Sequence, residues 1–459
     1  MLDISYEEIL KVTGGEMLQG NIRALIKGFS IDTRTLKPGD CFVALEGEHT
    51  DGHKYILDAM EKGASGAIIS YINEGESYPA NRTLIRVKEP LEALQKISSY
   101  YRNKFSLKVI GVTGSSGKTT TKDFIASVLG YSFKTLKTEG NLNNHLGLPL
   151  ILLRLKKEHQ AVVLEMGMRN RGEISLLTRL SRPEVGVITN IGEAHLELLG
   201  SKDEIAKAKG ELLEEMNSGN TAILNGDNYW LRRIAEEFKG KGKAILYGLQ
   251  GEVDIKAYGL TPKNKGTDFK VNIRGQEEDF FIPLPGEHNV YNALAAVTCA
   301  LYFGVPLQEI KMGLANPDLT GMRMEIIDAS RGVTIMNDAY NANLSSTKAS
   351  LKTLALIGKG SRLIAVLGDM LELGSIKEEA HKEVGQFAAS IGVDTILGVG
   401  DLMLITVTEA RERGVSNSWH FTDHVKLKKK LSEITQPGDY ILVKGSRGMK
   451  MEKIVEFLK

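Results

Sequence analysis

Cysteine is scarce in this 459-residue chain: Cys41 and Cys299 are the only two, and they stand far apart. That spacing excludes a disulfide framework and any Cys-x-x-Cys metal or redox motif, and it favours a reducing compartment. An excess of one charge sign is also missing. With 58 Lys and Arg against 57 Asp and Glu, the formal net charge is +1, so the balance points to neither nucleic acid nor a polybasic membrane contact. Long apolar runs are absent. The longest, 290–305, is broken by Asn292 and Thr298, is too short to cross a bilayer, and reads as a buried helix. The first residues carry Asp3, Glu7 and Glu8 where a secretory signal needs a basic and then an apolar stretch. A cytoplasmic protein without stable membrane insertion is expected. Internal repeats and low-complexity tracts are missing as well.

What remains is ordinary globular composition, 42% apolar and 25% charged, which excludes a wholly disordered chain. At about 150 residues per domain, the length suggests roughly three domains. The 48 glycines fit many tight βα turns and phosphate-type loops. Short apolar runs alternate with helix-period segments, the mark of α/β architecture. The pattern breaks around Asn103-Lys104-Phe105, after a helix-like 91–101, and around Ala315-Asn316-Pro317-Asp318. These breaks give segments 1–103, 104–316 and 317–459. The first holds a strand over 41–45, a polar loop over 46–53, a helix over about 54–62 and a strand over 67–69. The second opens with a strand over 108–112 and a glycine loop, with further strands over 161–165, 185–189 and 221–225. The third places strands over 334–337, 363–367, 395–399 and 440–443 between helical patterns, a Rossmann-like doubly wound unit.

The sharpest motif is Gly111-Val112-Thr113-Gly114-Ser115-Ser116-Gly117-Lys118-Thr119-Thr120. It follows a predicted strand and precedes a helix pattern, the context a phosphate loop requires. Loop N–H groups would face anionic oxygens, Lys118 would add a charge for the β- and γ-phosphates, and Thr119 a hydroxyl for Mg²⁺. A plain Gly/Ser turn with an exposed lysine is the weaker alternative. The general phosphate-loop pattern has Gly or Ala five positions before Gly117, where Val112 stands here. The segment instead resembles the Thr-Gly-x-x-Gly-Lys-Thr variant of the Mur ligase family, amide-bond ligases related to folylpolyglutamate synthase.

The resemblance runs nearly end to end. It implies an N-terminal α/β substrate domain, a central P-loop ATPase-like domain with a mostly parallel sheet, and a C-terminal Rossmann-like domain. The stretches 140–149, 337–343 and 367–374 are similar to the branch that adds D-alanyl-D-alanine to UDP-N-acetylmuramoyl-tripeptide. After Asn343 the family's Pro-x-Ser-Met is replaced by Leu344-Ser345-Ser346-Thr347. The resemblance implies ATP and Mg²⁺ as cofactors and those two small molecules as substrates; from the charge balance no nucleic-acid partner is expected, and a monomer is expected as well. The resemblance also implies an acyl phosphate, formed on the tripeptide carboxylate and attacked by the dipeptide amine. A sister ligase adding one amino acid and a non-ligase nucleotide switch are the alternatives. The Asn143-Asn144 and 367–374 stretches argue against the first, and the Glu165/His195 pair argues against the second.

Single residues follow from the resemblance. Taken alone, Glu165 is an ordinary acid at a strand end and His195 an ordinary packing histidine; the resemblance makes both Mg²⁺ ligands. The helix after His195 opens with a capping-box pattern, Ser201 to Glu204. Within it Lys207 reads as solvated, while Lys209 aligns with a lysine that several Mur ligases carry as a carbamate, a carboxylate-like metal ligand. Asn289 and Asn292 share a helix face. An Asn amide suits an adenine edge, and Asn289 suits helix capping equally; the resemblance puts Asn292 at the adenine with His288 nearby. Arg323 is similar to the arginine that the third domain brings to the γ-phosphate. Asp338 would reach the ribose, and Tyr340 and Asn341 would line the same cleft. Ser30, Asp32, Arg34, Gly47, Asp51, Gly52 and His53 are similar to the uridine-diphosphate end of the substrate site, with Arg34 on the diphosphate. A turn with a surface arginine is an equal reading of those residues alone. Asn143 and Asn144 complete the substrate set. The stretch Lys444 to Gly448 reads as a strand-end anion nest.

Overall fold

The computed structural model describes residues 4–47, 50–329 and 332–459. Met1 to Asp3, and Glu48 and His49 of the polar loop, lie outside them. Among the described residues the strands form three sheets, of five, nine and six strands. The chain divides into two compact units, one of Met1–Gly111, Phe133–Met168 and Glu173–Glu184, the other of Val112–Ser132, Arg169–Gly172 and Val185–Lys459.

In the first unit the five-stranded sheet runs Glu16–Gln19, Thr83–Arg86, Gly66–Ile69, Asp40–Val43, Gly28–Ser30. Only the outer Glu16–Gln19 pairs antiparallel. Gly66–Ile69 is buried throughout, as a central parallel strand covered on both faces must be. Phe42, Ile56, Ala67 and Ile69 pack together in the core. The strand expected over 41–45 stops at Val43, because Leu45 turns its carbonyl to Gly52 N (2.8 Å). The helix expected over 54–62 begins as a 3-10 turn, Gly52–Tyr55, and becomes α-helical over Ile56–Glu61. The helix Pro90–Arg102 starts on a proline, whose missing N–H costs nothing there. Its far end is tied down by Tyr101 Oη donating to the Leu155 carbonyl (3.0 Å) and Arg102 Nε to that of Ser181 (2.7 Å).

In the second unit the helix Lys118–Ser132 packs against Glu287–Tyr302 and Leu307–Ala315. The apolar stretch expected to form a buried helix over 290–305 does so only to Tyr302, where Phe303 caps the helix Glu287–Tyr302. Gly313 permits close contact: a Cβ there would lie 2.6 Å from Val128 Cα. The strands Val185–Ile188, Thr221–Asn225, Lys243–Gly248 and Ile255–Lys263 pair in parallel in that order. Ile255–Lys263 then continues through Gly266–Ile273 and Gln276–Ile282 as an antiparallel meander. The sequence pattern does not reveal this meander, since its outward positions carry charges such as Lys270, Glu277 and Asp279. The six-stranded sheet runs Glu325–Asp328, Thr334–Asp338, Tyr440–Lys444, Leu363–Gly368, Thr395–Val399, Asn417–Phe421. All its pairs are parallel except the first, which matches the Rossmann-like reading. Ile335, Ile364, Val366, Leu397, Ile441 and Val443 form its core. Among the described residues, no helix is long and apolar enough to cross a membrane.

The expected capping box at Ser201 forms only by half. Ser201 Oγ accepts from Glu204 N (3.2 Å), but the Glu204 carboxylate is drawn outward to Lys207 (2.8 Å) and Arg171 (3.3 Å).

One surface-to-core pair holds the last sheet. Asp439, 3% exposed, takes a two-point bond from Arg362 (2.9 and 2.6 Å) and a third from Gln436 N (2.8 Å). Asp439→Ala should cost about 3 kcal/mol. Hydrogen exchange should then accelerate across Thr334–Asp338 and Tyr440–Lys444 before other strands; uniform protection would contradict this.

Candidate active site

The glycine loop follows the strand Lys108–Thr113 and feeds directly into the helix Lys118–Ser132, so the positive end of a helix dipole opens at Lys118. Two glycines make the path possible. Gly114 has φ +149°, and a Cβ there would sit 1.9 Å from Thr189 Oγ1; Gly117 has φ +79°, and its Cβ would sit 2.4 Å from Asn292 Oδ1. The loop is thus threaded between a strand end and the buried helix Glu287–Tyr302. Thr189 Oγ1 donates to the Ser116 carbonyl (2.6 Å), and Ser115 Oγ accepts from Gly192 N (2.9 Å). Lys118 Nζ folds back onto the Gly114 carbonyl (2.8 Å). Thr113, Thr119 and Thr120 are buried around it. One expectation needs correction. The N–H groups of Ser115 and Ser116 were to face phosphate, but Asn190 takes both, through its carbonyl (3.0 Å) and its Oδ1 (2.8 Å). Thr189 and Asn190 were missed as loop braces. Their signal was their place just past the carboxyl end of the strand Val185–Ile188.

Asn292 stands behind the loop rather than open to it. Its Oδ1 accepts from Thr121 Oγ1 (3.2 Å), and its Nδ2 donates to Asn289 Oδ1 (3.2 Å). Asn289 does not cap the helix, whose N-cap is Gly286; its amide donates to the Pro285 carbonyl (2.8 Å). His288 is adjacent, and its imidazole pKa is pushed down to about 4 by burial, with the Lys444 and Lys352 charges adding and Asp338 opposing.

His195 adopts a left-handed backbone (φ +68°), a strained state for a side-chain-bearing residue. Its buried Nδ1 has no hydrogen-bond partner among the described residues and lies 4.0 Å from Glu372 Oε2. Burial, then the charges of Lys209, Lys118 and Arg169, push its pKa down to about 3. A neutral imidazole with an orphaned nitrogen is what a cation ligand requires. Lys209 is 1% exposed; burial and the Lys118 charge hold its amine well below the usual ammonium range. A neutral amine is the form that adds carbon dioxide to give a carbamate and a proton. In the first unit, Glu165 ends the strand Ala161–Glu165, 3% exposed. Its Oε1 accepts from Asn143 Nδ2 (2.8 Å), and its N–H donates to Thr138 Oγ1 (3.0 Å). Asn144 Oδ1 accepts from Leu146 N (3.1 Å) and Gly147 N (2.9 Å), so it shapes the start of a helix.

Arg323 projects between two left-handed residues, Met322 (φ +62°) and Met324 (φ +54°). Its guanidinium lies 4.1 Å from the Tyr340 ring centre, and its buried Nε has no hydrogen-bond partner among the described residues. Asp338 ends the strand Thr334–Asp338, as expected, but both its oxygens are engaged. Oδ2 accepts from Lys444 Nζ (2.5 Å) and Ser350 Oγ (2.7 Å), and Oδ1 from Met324 N (3.3 Å). Lys444 also donates to the Asn341 carbonyl (2.9 Å). It is therefore no cation of an anion nest: as a 2%-exposed ammonium, it takes the nearest carboxylate. The departure at 344–347 opens the helix Leu344–Ile357, where Asn343 and Ser346 form a capping box. Ser345 Oγ reaches Glu193 Oε2 (2.9 Å).

The uridine-end residues fold onto one another. Ser30 Oγ donates to the Asp32 carbonyl (2.9 Å). Asp32 holds Arg34 through two oxygens (2.9 and 2.6 Å), and its carboxyl drops to about 2 through those bonds. The Arg34 side chain remains 86% exposed. His53 is fully buried: Nδ1 meets Asp51 Oδ1 (2.7 Å), Nε2 accepts from Ser70 N (2.9 Å), and the ring stacks on Tyr71 at 4.0 Å. Glu46, Asp51 and His53 bring ligand-type atoms within 4.8 Å of one another, but both imidazole nitrogens are already committed.

A phosphate loop on a parallel sheet, followed by a Rossmann-like sheet carrying a stacked arginine, defines a nucleotide-using multidomain enzyme. Residues 112–300 match the Mur ligase middle domain, 322–447 the Mur ligase, glutamate ligase domain, and 25–102 the Mur ligase family, catalytic domain. The chain belongs to the Mur ligase family. A UDP-N-acetylmuramoyl-tripeptide--D-alanyl-D-alanine ligase of Bacillus subtilis (strain 168) is 39% identical over 96% of this chain and 96% of its own. A crystal structure of MurF from Acinetobacter baumannii superposes with a TM-score of 0.89 at 31% identity, covering 99% of this chain and 98% of that one. MurF ligase from Thermotoga maritima in complex with ADP matches with a TM-score of 0.80 at 27% identity, over 94% and 96%.

Two expectations follow. Gly117→Ala meets Asn292 and forces a side-chain-bearing residue into the left-handed region, a cost of about 1–2 kcal/mol before the clash. ADP affinity by calorimetry should fall at least about tenfold. Gly219→Ala, at φ +89° with no neighbour within 4 Å, should leave it unchanged. Second, folding keeps His288 neutral while the unfolded chain takes up a proton below its ordinary value. Its contribution to stability is therefore full at neutral pH and is lost as pH falls from about 6.5 towards 4. Imidazole NMR should place its midpoint near 4, and His288→Gln should flatten that part of the stability profile.

Proposed function

We propose that this chain is an ATP-dependent, ADP-forming amide-bond ligase that joins D-alanyl-D-alanine to UDP-N-acetylmuramoyl-tripeptide. The observation that carries the reading is the glycine loop locked between Thr189 and Asn292, in a chain aligned almost end to end with ligases named for that reaction. The domains are 1–103 for the uridine end of the substrate, 104–316 for ATP, and 317–459 for the closing ligase domain. The enzyme works in the cytoplasm as a monomer on small molecules, without nucleic acid.

The tripeptide's terminal carboxylate attacks the γ-phosphorus of ATP; the bond to the β-phosphate oxygen breaks and ADP leaves. The free amine of the dipeptide then attacks the acyl carbon, an amide forms, phosphate departs and the amine proton is released. Such chemistry needs positioning and charge neutralisation more than a protein nucleophile. Lys118 leaves the Gly114 carbonyl for the phosphates. Arg323 brings a second cation to the transferring group, its plane already set by Tyr340. Thr119, Glu165 and His195 would hold Mg²⁺, with Lys209 as a fourth ligand if carbamylated, and the ion would supply neutralisation of phosphate charge. The buried His195 nitrogen without a hydrogen-bond partner among the described residues and the downward shift of the Lys209 amine by burial and the Lys118 charge fit that assignment. The Thr113 to Thr120 loop cradles the nucleotide, with Asn292 and Asp338 as its second layer of support. Ser30, Asp32, Arg34, Asp51, His53, Asn143, Asn144, Tyr340 and Asn341 shape the substrate path.

Phosphate release from ATP should require UDP-N-acetylmuramoyl-tripeptide and D-alanyl-D-alanine together, and the product should gain the mass of the dipeptide less water. Turnover with a single amino acid on a shorter precursor would move the chain to a sister ligase, and turnover with no acceptor would make it a nucleotide switch.

A further inference from the structure

The mechanism leaves one buried ion pair unused. Lys122 and Asp123, on the helix that starts at the glycine loop, are 0% and 1% exposed and lie 3.0 Å apart. Burying two charges costs several kcal/mol of solvation, and such a pair is often no better for stability than apolar residues of like size. Its contacts suggest a use. Asp123 Oδ2 accepts from Thr320 N (2.8 Å), and Lys122 Nζ reaches Thr320 Oγ1 (3.5 Å). One helical turn on, Ser127 Oγ accepts from Asp318 N (3.0 Å). The segment leaving the helix Leu307–Ala315 is thus pinned to the loop helix at residues 318 and 320.

Three residues later the chain is held from the other side. Tyr340 N donates to the Met322 carbonyl (3.2 Å), the Tyr340 ring stacks on Arg323, and Met324 N is bonded to Asp338. Between Thr320 and the Met322 anchor lies Gly321 alone, and Met322 itself is left-handed. On a rigid helix, Asp123 stands about 6 Å along the axis from Thr119. One helix therefore carries both the phosphate loop and the anchor of the arm that bears Arg323.

The geometry points to Lys122 and Asp123 as positioning residues. By fixing Thr320 they set the hinge at 321–322, so that Arg323 is delivered in register with phosphate held at the loop. This rests on the reading of Arg323 as the γ-phosphate contact.

The test replaces the pair without stranding a charge, as Lys122→Met with Asp123→Leu. Spin labels on cysteines placed at Tyr229 and Val425, 67% and 78% exposed, report the spread of distances between the central and C-terminal parts; Cys41 and Cys299 are buried. The double variant should bind ADP within twofold of wild type, widen the distance distribution, and lower kcat about 10- to 100-fold with KM for ATP little changed. In an Arg323→Ala background the same substitutions should lower kcat by less than twofold. An unchanged distribution, an unchanged kcat, or an equal loss without Arg323 would overturn the proposal. Should the double variant fail to fold, Thr320→Pro removes both the N–H that Asp123 accepts and the hydroxyl that Lys122 reaches; the same widening and kcat loss is expected, and an unchanged distribution overturns it. If the wild type performs no ligation, the proposed function falls, while the distance distributions still decide the anchoring.

Discussion

Close approach at the glycine loop governs this structure. Two Cα atoms pass Thr189 and Asn292 so tightly that no side chain fits at either. The helix behind the loop must therefore lie flat against it. It does so with a run of small residues, Ala293, Ala295 and Ala296, all buried. The next helix approaches through Gly313. Dense packing of this kind transmits displacement instead of absorbing it, so the loop, its helix and the two helices beneath behave as one body. The arm carrying Arg323 is anchored to that body through Asp318 and Thr320.

Buried charge is the second theme. Asp338 with Lys444, Lys122 with Asp123, and the isolated Lys209 all sit away from water. None is a favourable element of a hydrophobic core, since desolvation offsets most of the attraction. Each has a directional task instead. Asp338 ties the Thr334–Asp338 strand end to Lys444, Ser350 and Met324. That leaves its carboxylate a support for the Arg323 turn, a role the ribose reading did not foresee. Burial and the like charge of Lys118 push the Lys209 amine well below the usual ammonium range, which serves chemistry more than packing.

Much of this was legible in the residues. The strands at 161–165, 221–225 and 395–399 fall where the apolar runs put them, because a strand covered on both faces must be apolar throughout. The antiparallel meander 255–282 was not legible, because half of each strand faces water and carries charge. The capping box at Ser201 failed for a related reason: Glu204 had charged partners on the surface that a four-residue pattern ignores. In the site, the loop was readable by motif, while Glu165, His195 and Arg323 were singled out only by the family resemblance; the geometry gives His195 and Arg323 buried nitrogens without a hydrogen-bond partner among the described residues. Arg34, Asn144 and His53 were readable only as polar residues in the right stretch. Their actual partners, Asp32, the 146–147 backbone, and Asp51 with Ser70, depend on turns whose closure no spacing rule specifies.

The sequence by itself determined the α/β alternation, the phosphate loop and the family. Periodicity, the Gly-Lys-Thr spacing and strand–loop–helix order are properties of local chain chemistry. Only the tertiary structure decided which polar groups turn inward. Asn190 claims two loop amides, Asn292 braces the loop from behind, Lys444 pairs with Asp338 instead of awaiting an anion, and Thr320 is seized by a helix nearly two hundred residues earlier. A buried polar atom must find a partner, and the partner is whichever group folding brings within 3 Å, from any distance along the chain.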